Sequence, residues 1–232
     1  MEYWVVITGA SSGIGFELAL QWANKNHKVI AIARSGEKLE ALSSRYPEHI
    51  FAVEFDLREF RKYSELLAII NELTDRVDVL INNAGTLINK PFRNLSFDEF
   101  DSISDTNYKA PFFLTQLLLP LIEVSYKKDV VNIGSVGGVQ NTDKFPGLSI
   151  YSSSKGAISI LTECLAKELS PIGITINCLA LGAVKTIMLS KAFPGYIPKI
   201  TPEKMAKTIN SFILANDQII SGKTIQLALS EV

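Results

Sequence analysis

The sequence has little of what marks a metal centre or a disulfide scaffold. It carries two cysteines and two histidines in 232 residues. Cys164 and Cys178 lie in apolar stretches and read as buried thiols of a reducing compartment, not as a bridge or a metal pair. His27 and His49 precede apolar runs, have no ligand-type neighbours, and read as connector residues. No metal site is expected. The formal net charge is −1 and no basic run occurs, so nothing draws the chain to nucleic acid or an anionic membrane. No apolar stretch approaches the ~20 residues of a membrane span. Met1–Tyr3 runs straight into Trp4-Val5-Val6-Ile7 with no basic lead, so no secretory leader is expected and the expected location is cytoplasmic. Internal repeats, low-complexity segments and long linkers are also missing. One domain over residues 1–232 is expected, and a hydrophobic fraction of 47% supplies a large core.

What the chain does have is alternation. Short runs rich in Val and Ile are expected as strands: Tyr3–Thr8, Lys28–Ala33, Ile50–Phe55, Val77–Asn82, Val130–Gly134, Thr175–Leu181 and Lys223–Leu227. Helix-period stretches fall near 13–25, 36–46, 59–74, 98–122, 149–170 and 202–215. Strand–helix alternation gives parallel strands with right-handed crossovers. The expected fold is therefore α/β, a Rossmann-like doubly wound sheet with helices on both faces.

The first strand ends in Thr8-Gly9-Ala10-Ser11-Ser12-Gly13-Ile14-Gly15, and a helix follows. A turn of this kind lets backbone N–H groups approach a pyrophosphate, and the helix N-terminus adds about half a positive charge. Gly9 permits the tight turn, Gly13 close approach, and Gly15 close helix–strand packing. The spacing is not the common G-x-G-x-x-G, and an ordinary strand–helix turn is the competing reading. The second strand ends Ala33-Arg34-Ser35. In dinucleotide sites this point faces the adenosine ribose, where an acid suits the 2′-hydroxyl of NAD and an arginine the 2′-phosphate of NADP. Ala33 offers no carboxylate and Arg34 a bidentate donor, so NADP(H) is expected over NAD(H). Arg34 also reads as a solvated surface residue. Asp56, after the third strand, reads either as an acceptor for the adenine amino group or as a cap.

Taken in order, these residues resemble the short-chain dehydrogenase/reductase family over essentially the whole chain. The resemblance rests on Thr8-Gly9-x-x-x-Gly13-Ile14-Gly15, Asp56-Leu57, Asn82-Asn83-Ala84-Gly85, Asn107, Ser135 and Tyr151-x-x-x-Lys155. It implies a seven-stranded parallel sheet, a nicotinamide cofactor, and a Ser–Tyr–Lys site supported by an Asn. The cradle then comprises Gly9, Ser11, Ser12, Gly13, Ile14 and Gly15. Asn83, Ala84 and Gly85 line the adenosine side. The Val184 backbone and the Thr186 hydroxyl fix the nicotinamide carboxamide. Homodimers or homotetramers through the helices at about 98–122 and 149–170 are a further implication.

Carbonyl reduction needs a hydride, which the cofactor supplies, and a proton delivered beside the developing alkoxide. Tyr151 is the candidate acid/base. An ordinary tyrosine has a pKa near ~10. Lys155, four residues on and on the same helical face, is expected to lower it. Ser135, at the end of the fifth strand, would hold the substrate oxygen beside Tyr151, although a turn serine is common in such a Gly-rich segment. Asn107 lies on the stripe Phe100, Ile103, Asn107, Ala110, Leu114, Leu117, Leu121. Pro111 follows and cannot bond the Asn107 carbonyl. A kink is expected there, freeing that carbonyl to hold a water near Lys155; a structural kink alone is the alternative.

Four features depart from the family. Leu181-Gly182 replaces Pro-Gly, so a looser nicotinamide loop is expected. The Ser135-to-Tyr151 interval is longer, near Gln140–Lys144. The substrate-loop segment at about 186–201 is short, with Met188, Leu189, Phe193, Tyr196 and Ile197 available either to an apolar substrate or to pack the loop itself. Ala228-Leu229-Ser230-Glu231-Val232 replaces the usual terminal Asp-Gly-Gly and puts one oligomer contact in question. The expected function is an NADP(H)-dependent oxidoreductase of the carbonyl reductase or alcohol dehydrogenase type, acting on a small-molecule carbonyl/alcohol substrate. A non-catalytic NADP-binding redox sensor or scaffold is the alternative. An epimerase or dehydratase is disfavoured by the chain's length.

Overall fold

A computed structural model describes residues 1–229. Seven strands form one parallel sheet: β1 (Trp4–Thr8), β2 (Lys28–Ala33), β3 (Ile50–Glu54), β4 (Val79–Asn82), β5 (Asp129–Ser135), β6 (Thr175–Leu181) and β7 (Thr224–Leu227). The spatial order is β3-β2-β1-β4-β5-β6-β7. The helices are α1 (Gly13–Ala23), α2 (Gly36–Ser43), α3 (Tyr63–Leu73), α4 (Phe97–Ser104), α5 (Ala110–Glu123), α6 (Ser149–Leu169), α7 (Ile187–Ala192) and α8 (Pro202–Ala215). The Rossmann-like α/β expectation holds.

The central strands are apolar on both faces because both are covered. On one face, Trp22 of α1, Leu39 and Leu42 of α2, and Met205, Ile209 and Ile213 of α8 pack on Val5, Ile7, Val29 and Ile81. On the other, Leu66 and Ile70 of α3, Leu114, Leu118 and Ile122 of α5, and Ala166 and Leu169 of α6 pack on Val6, Ile30, Leu80 and Val130. Each fully buried Leu or Ile contributes about 1.5–3 kcal/mol. The strand order reverses between β1 and β4, and in such sheets ligands bind at that crevice, outside the carboxyl ends of the strands.

Several expected boundaries move. β4 starts at Val79, because the Val77 N–H bonds the Leu121 carbonyl instead of a strand. β5 runs on to Ser135, so that serine is itself the last strand residue. The short helix α7 inside the segment 186–201 was not expected; the Thr186 side chain starts it by accepting from the Leu189 N–H at 3.2 Å.

The stretch near 98–122 is continuous but not regular. α4 passes into a π-helical turn over Asp105–Lys109 and then into α5. There the Ala110 N–H bonds the Asp105 carbonyl, five residues back. A wider turn is one way to accommodate a proline that would otherwise press on the carbonyl four residues earlier. So the irregularity expected at Pro111 is a π turn. Phe100 is exposed, and the buried stripe continues through Leu118 and Ile122 in place of Leu117 and Leu121, which are half-buried.

One expectation is corrected on the surface, and another is extended at the base. Cys164 is exposed on α6, on the same face as the exposed Ile160 four residues earlier; only Cys178 is buried. His27 connects α1 to β2 and also does structural work, since its Nδ1 accepts from the Tyr3 N–H at 3.1 Å. Among the described residues no group of His, Cys, Asp and Glu could hold a metal, and no helix is long and apolar enough to cross a membrane. The terminal segment that replaces the family's Asp-Gly-Gly lies partly outside the described residues.

Candidate active site

The crevice begins at Thr8. Its hydroxyl accepts from the Asn83 and Ala84 N–H groups at 3.0 and 2.9 Å, while the Asn83 amide donates to the Thr8 carbonyl at 2.8 Å. These bonds bind the loop after β4 to the tip of β1. Thr8 was missed as a site residue; the signal was a polar residue closing an apolar strand. The glycines then set the depth of the groove. A Cβ at Gly9, whose φ is +68°, would meet the Ala84 Cα at 2.9 Å. A Cβ at Gly15 would lie 2.4 Å from the Gly9 carbonyl oxygen. Gly13, with φ +58°, has only the Thr186 methyl group facing it, at 3.4 Å and beyond. Ser12 stands at the N-cap of α1 without a side-chain capping bond, and the first turn carries no acid. That N-terminus therefore offers its donors and its dipole to an anion. Ser11 and Ile14, both half-buried, flank it.

At the carboxyl end of β2, Ala33 is buried and Arg34 exposed. Among the described residues, Arg34 enters no hydrogen bond or ion pair, and its charge helps to lower the Asp56 pKa. The larger cause is Arg58, which holds Asp56 with a 2.6 Å ion pair and a backbone bond of 3.0 Å from its N–H. Asp56 therefore holds a local turn and caps no helix, since the next helical turn starts at Phe60 with Glu59 at its N-cap. Leu57 is buried, and its carbonyl accepts from the Tyr63 hydroxyl at 2.8 Å.

At the other end, the catalytic candidates converge. The Tyr151 phenol on α6 comes close enough to the Ser135 hydroxyl, at the tip of β5, for that hydroxyl to act on its pKa. Ser135 also accepts from the Gly137 N–H at 3.3 Å. Close passage of α6 depends on Gly138, where a Cβ would lie 2.6 Å from the Lys155 carbonyl carbon. Lys155 is buried and donates to the Ile133 carbonyl at 2.7 Å. A Cβ at Gly85 would lie 3.6 Å from Lys155 Nζ and 3.5 Å from Asn107 Oδ1, so lysine and amide face the same small residue. Asn107 is buried. Its Oδ1 accepts from the Thr86 N–H at 2.8 Å, and its Nδ2 donates to the Thr86 carbonyl and to Ser154 Oγ, both at 3.0 Å.

The electrostatics differ from the simplest expectation. Burial raises the Tyr151 pKa above its ordinary value, and the neighbouring Ser135 hydroxyl pulls it part of the way back. Burial drives the Lys155 ammonium down to about 8. Desolvation disfavours the charged form of each group, so burial outweighs the lowering of Tyr151 that Lys155 was expected to cause.

A family model described as short chain dehydrogenase matches residues 3–196. The chain is a short-chain dehydrogenase. This oxidoreductase is 28% identical over 205 residues to an uncharacterized oxidoreductase of Staphylococcus aureus (strain MW2), covering 88% of this chain and 87% of that one. It is 32% identical over 184 residues to the uncharacterized oxidoreductase YxjF of Bacillus subtilis (strain 168), covering 78% and 70%. Among solved structures it is similar to a short chain dehydrogenase of Shigella flexneri complexed with NADP, with TM-score 0.89, 27% identity and coverage of 97% and 96%. A 3-ketoacyl-(acyl-carrier-protein) reductase of Brucella melitensis complexed with NADH shares the fold at TM-score 0.87 and 24% identity, with the same coverage.

In this short-chain dehydrogenase the segment after β6 is tied down in spite of Leu181. Gly182 N–H bonds the Leu227 carbonyl at 3.0 Å, and Leu181 pairs with Leu227 in the sheet. Val184 is buried and bridges Ile200, and the Thr186 N–H bonds the Val184 carbonyl at 2.8 Å. Beyond it, Phe193 packs edge-on against Phe145, and Asn89 Nδ2 donates to the Ala192 carbonyl at 2.8 Å. The segment 186–201 thus closes partly on its own neighbours, while Tyr196 and Ile197 stay exposed.

Proposed function

We propose that this short-chain dehydrogenase transfers a hydride between NADP(H) and a small-molecule carbonyl/alcohol pair, with Tyr151 as general acid/base. The carrying observation is the convergence of the Tyr151 phenol on the Ser135 hydroxyl at the carboxyl edge of the sheet, with Lys155 one helical turn away. The groove fits a dinucleotide: glycines where a Cβ would collide, an uncapped helix N-terminus, and an exposed Arg34 without a partner among the described residues. Gly9, Ser11, Ser12, Gly13, Ile14 and Gly15 would hold the pyrophosphate and Arg34 the 2′-phosphate. Asp56, Leu57, Asn83, Ala84 and Gly85 would enclose the adenosine, and Val184 and Thr186 would hold the carboxamide. When bound, the nicotinamide supplies or accepts the hydride.

The remaining steps belong to the protein. Ser135 holds the substrate oxygen. Tyr151 gives that oxygen a proton in the reductive direction. Lys155 favours the phenolate that results and passes a proton back to it. The Asn107 carbonyl, within the π turn, holds a water for that relay. The whole chain acts as one dinucleotide-binding and catalytic domain, with residues 186–201 as its substrate loop. Homo-oligomer formation through α4–α5 and α6, and a cytoplasmic location, belong to the same proposal. Exposed Phe113 on α5 and exposed Ile160 on α6 support the first, and two cysteines in no bridge the second.

The test is NADPH oxidation against a panel of ketones and aldehydes, with Tyr151→Phe beside the wild type. Loss of the proton donor is expected to cost about 10²–10⁴ in turnover, with NADPH binding retained. Unchanged turnover in Tyr151→Phe would end the proposal. Cofactor binding with no turnover on any carbonyl would favour a redox-sensing or scaffold module.

A further inference from the structure

Between Tyr151 and Lys155 lies a residue without a catalytic role in the proposal above. Ser154 is 6% exposed, on the inner face of α6. Its hydroxyl donates to the Tyr151 carbonyl at 2.7 Å. A serine hydroxyl has one proton, so the oxygen is left only to accept. It accepts a hydrogen from Asn107 Nδ2 at 3.0 Å. The same carboxamide grips the Thr86 peptide at both ends. Every polar atom of the Asn107 side chain is therefore engaged, and its oxygen end is turned toward Gly85, the residue that Lys155 Nζ also faces.

We propose that Ser154 is a positioning residue: it fastens the Asn107 carboxamide, and through it the Gly85–Thr86 peptide, to the helical turn that carries Tyr151. This rests on the proposed function, in which Tyr151 and Lys155 act on the substrate and cofactor. The physical consequence follows from the amide dipole. The oxygen end of a fixed carboxamide favours a neighbouring ammonium, whereas the NH₂ end opposes it. Thr86 sets which end faces which way. Ser154 fixes the carboxamide relative to α6, and hence relative to Lys155. Without that bond an Asn107 hydrogen is left in a dry interior, and the amide is free to turn toward another acceptor.

Ser154→Ala should lower kcat about tenfold, the kinetic equivalent of one lost buried hydrogen bond. KM for NADPH and for the carbonyl substrate should stay within about twofold, because neither is touched. The alkaline fall in kcat should move to lower pH, since Lys155 loses part of what holds its proton while Cys178 on β6, the titratable group that acts on it from the sheet, is unchanged. Ser154→Thr, which keeps the hydroxyl, should restore both rate and pH profile. The Thr86 amide proton should exchange with solvent about tenfold faster in Ser154→Ala by NMR. That last readout needs no turnover, so it decides the point even if the wild type reduces no carbonyl. Wild-type exchange at Thr86 in Ser154→Ala would overturn the proposal. So would a wild-type rate and pH profile in that variant, or Ala and Thr variants equally impaired.

Discussion

Asp129 opens β5 at the end of the sheet remote from the crevice, and it is fully buried. Its Oδ1 accepts from the Thr175 hydroxyl at 3.0 Å, while Oδ2 has no partner among the described residues. Burial pushes its pKa from an ordinary 3.8 up to about 7; the Thr175 bond and the nearby Lys127 charge only moderate that rise. The folded state therefore holds a proton that the unfolded chain releases. The stability this contributes is complete below pH 3.8 and is lost as pH rises through about 7. A shift of about three units at 1.36 kcal/mol each is about 4 kcal/mol in all, falling by ~1.4 kcal/mol per pH unit inside the window. Asp129→Asn keeps the shape and the acceptor for Thr175 but cannot ionise. Urea unfolding of both proteins at pH 5, 6, 7 and 8 measures the difference directly. The variant should gain on the wild type steadily from pH 5 to 7 and hold a constant lead above. A difference that does not change with pH across that range would show Asp129 ionised in the fold and refute the reasoning.

Two predictions concern the crevice. Gly15→Ala places a methyl group 2.4 Å from the Gly9 carbonyl oxygen and 2.5 Å from Asn83 Nδ2. Backbone must then shift, at a cost of about 1–3 kcal/mol. Thermal unfolding should show the loss, and fluorescence titration a weakened cofactor; wild-type values for both would mean the groove is not set by this contact. Arg34→Gln removes the exposed guanidinium beside Asp56, and NADPH affinity should fall tenfold or more while NADH affinity is unchanged, as suits a charge-assisted bond worth about 1.5–3 kcal/mol. Equal losses for the two cofactors would retire Arg34 as the 2′-phosphate ligand.

Much of this was legible in the sequence because it follows from period and punctuation. Buried parallel strands must be runs of Val and Ile, so β2 and β6 could be bounded to the residue. Glycines at a strand–helix junction announce close approach, and Gly9 and Gly15 are indeed the positions where a Cβ would collide. What escaped depends on partners distant in sequence. Thr8 is an ordinary strand residue until its hydroxyl meets the Asn83 and Ala84 N–H groups, 75 and 76 residues on. Pro111 foretold an irregular helix, but a kink and a π turn answer the same steric demand, and one-dimensional spacing does not choose between them. The raised Tyr151 and lowered Lys155 pKa values come from burial, which the four-residue spacing does not report.

The π turn gives the helix one residue more than its length requires. Removing any one residue from 105–109 would draw the turn back toward regular α-helical winding, where Pro111 would press on the carbonyl four residues earlier. Each position upstream would also swing by about 100° relative to those downstream. Asn107 would then leave Thr86, or Leu114 and Leu118 would leave the core. A shortened chain of that kind should still fold into helices and strands, but it could satisfy either its interior or its reactive centre, not both.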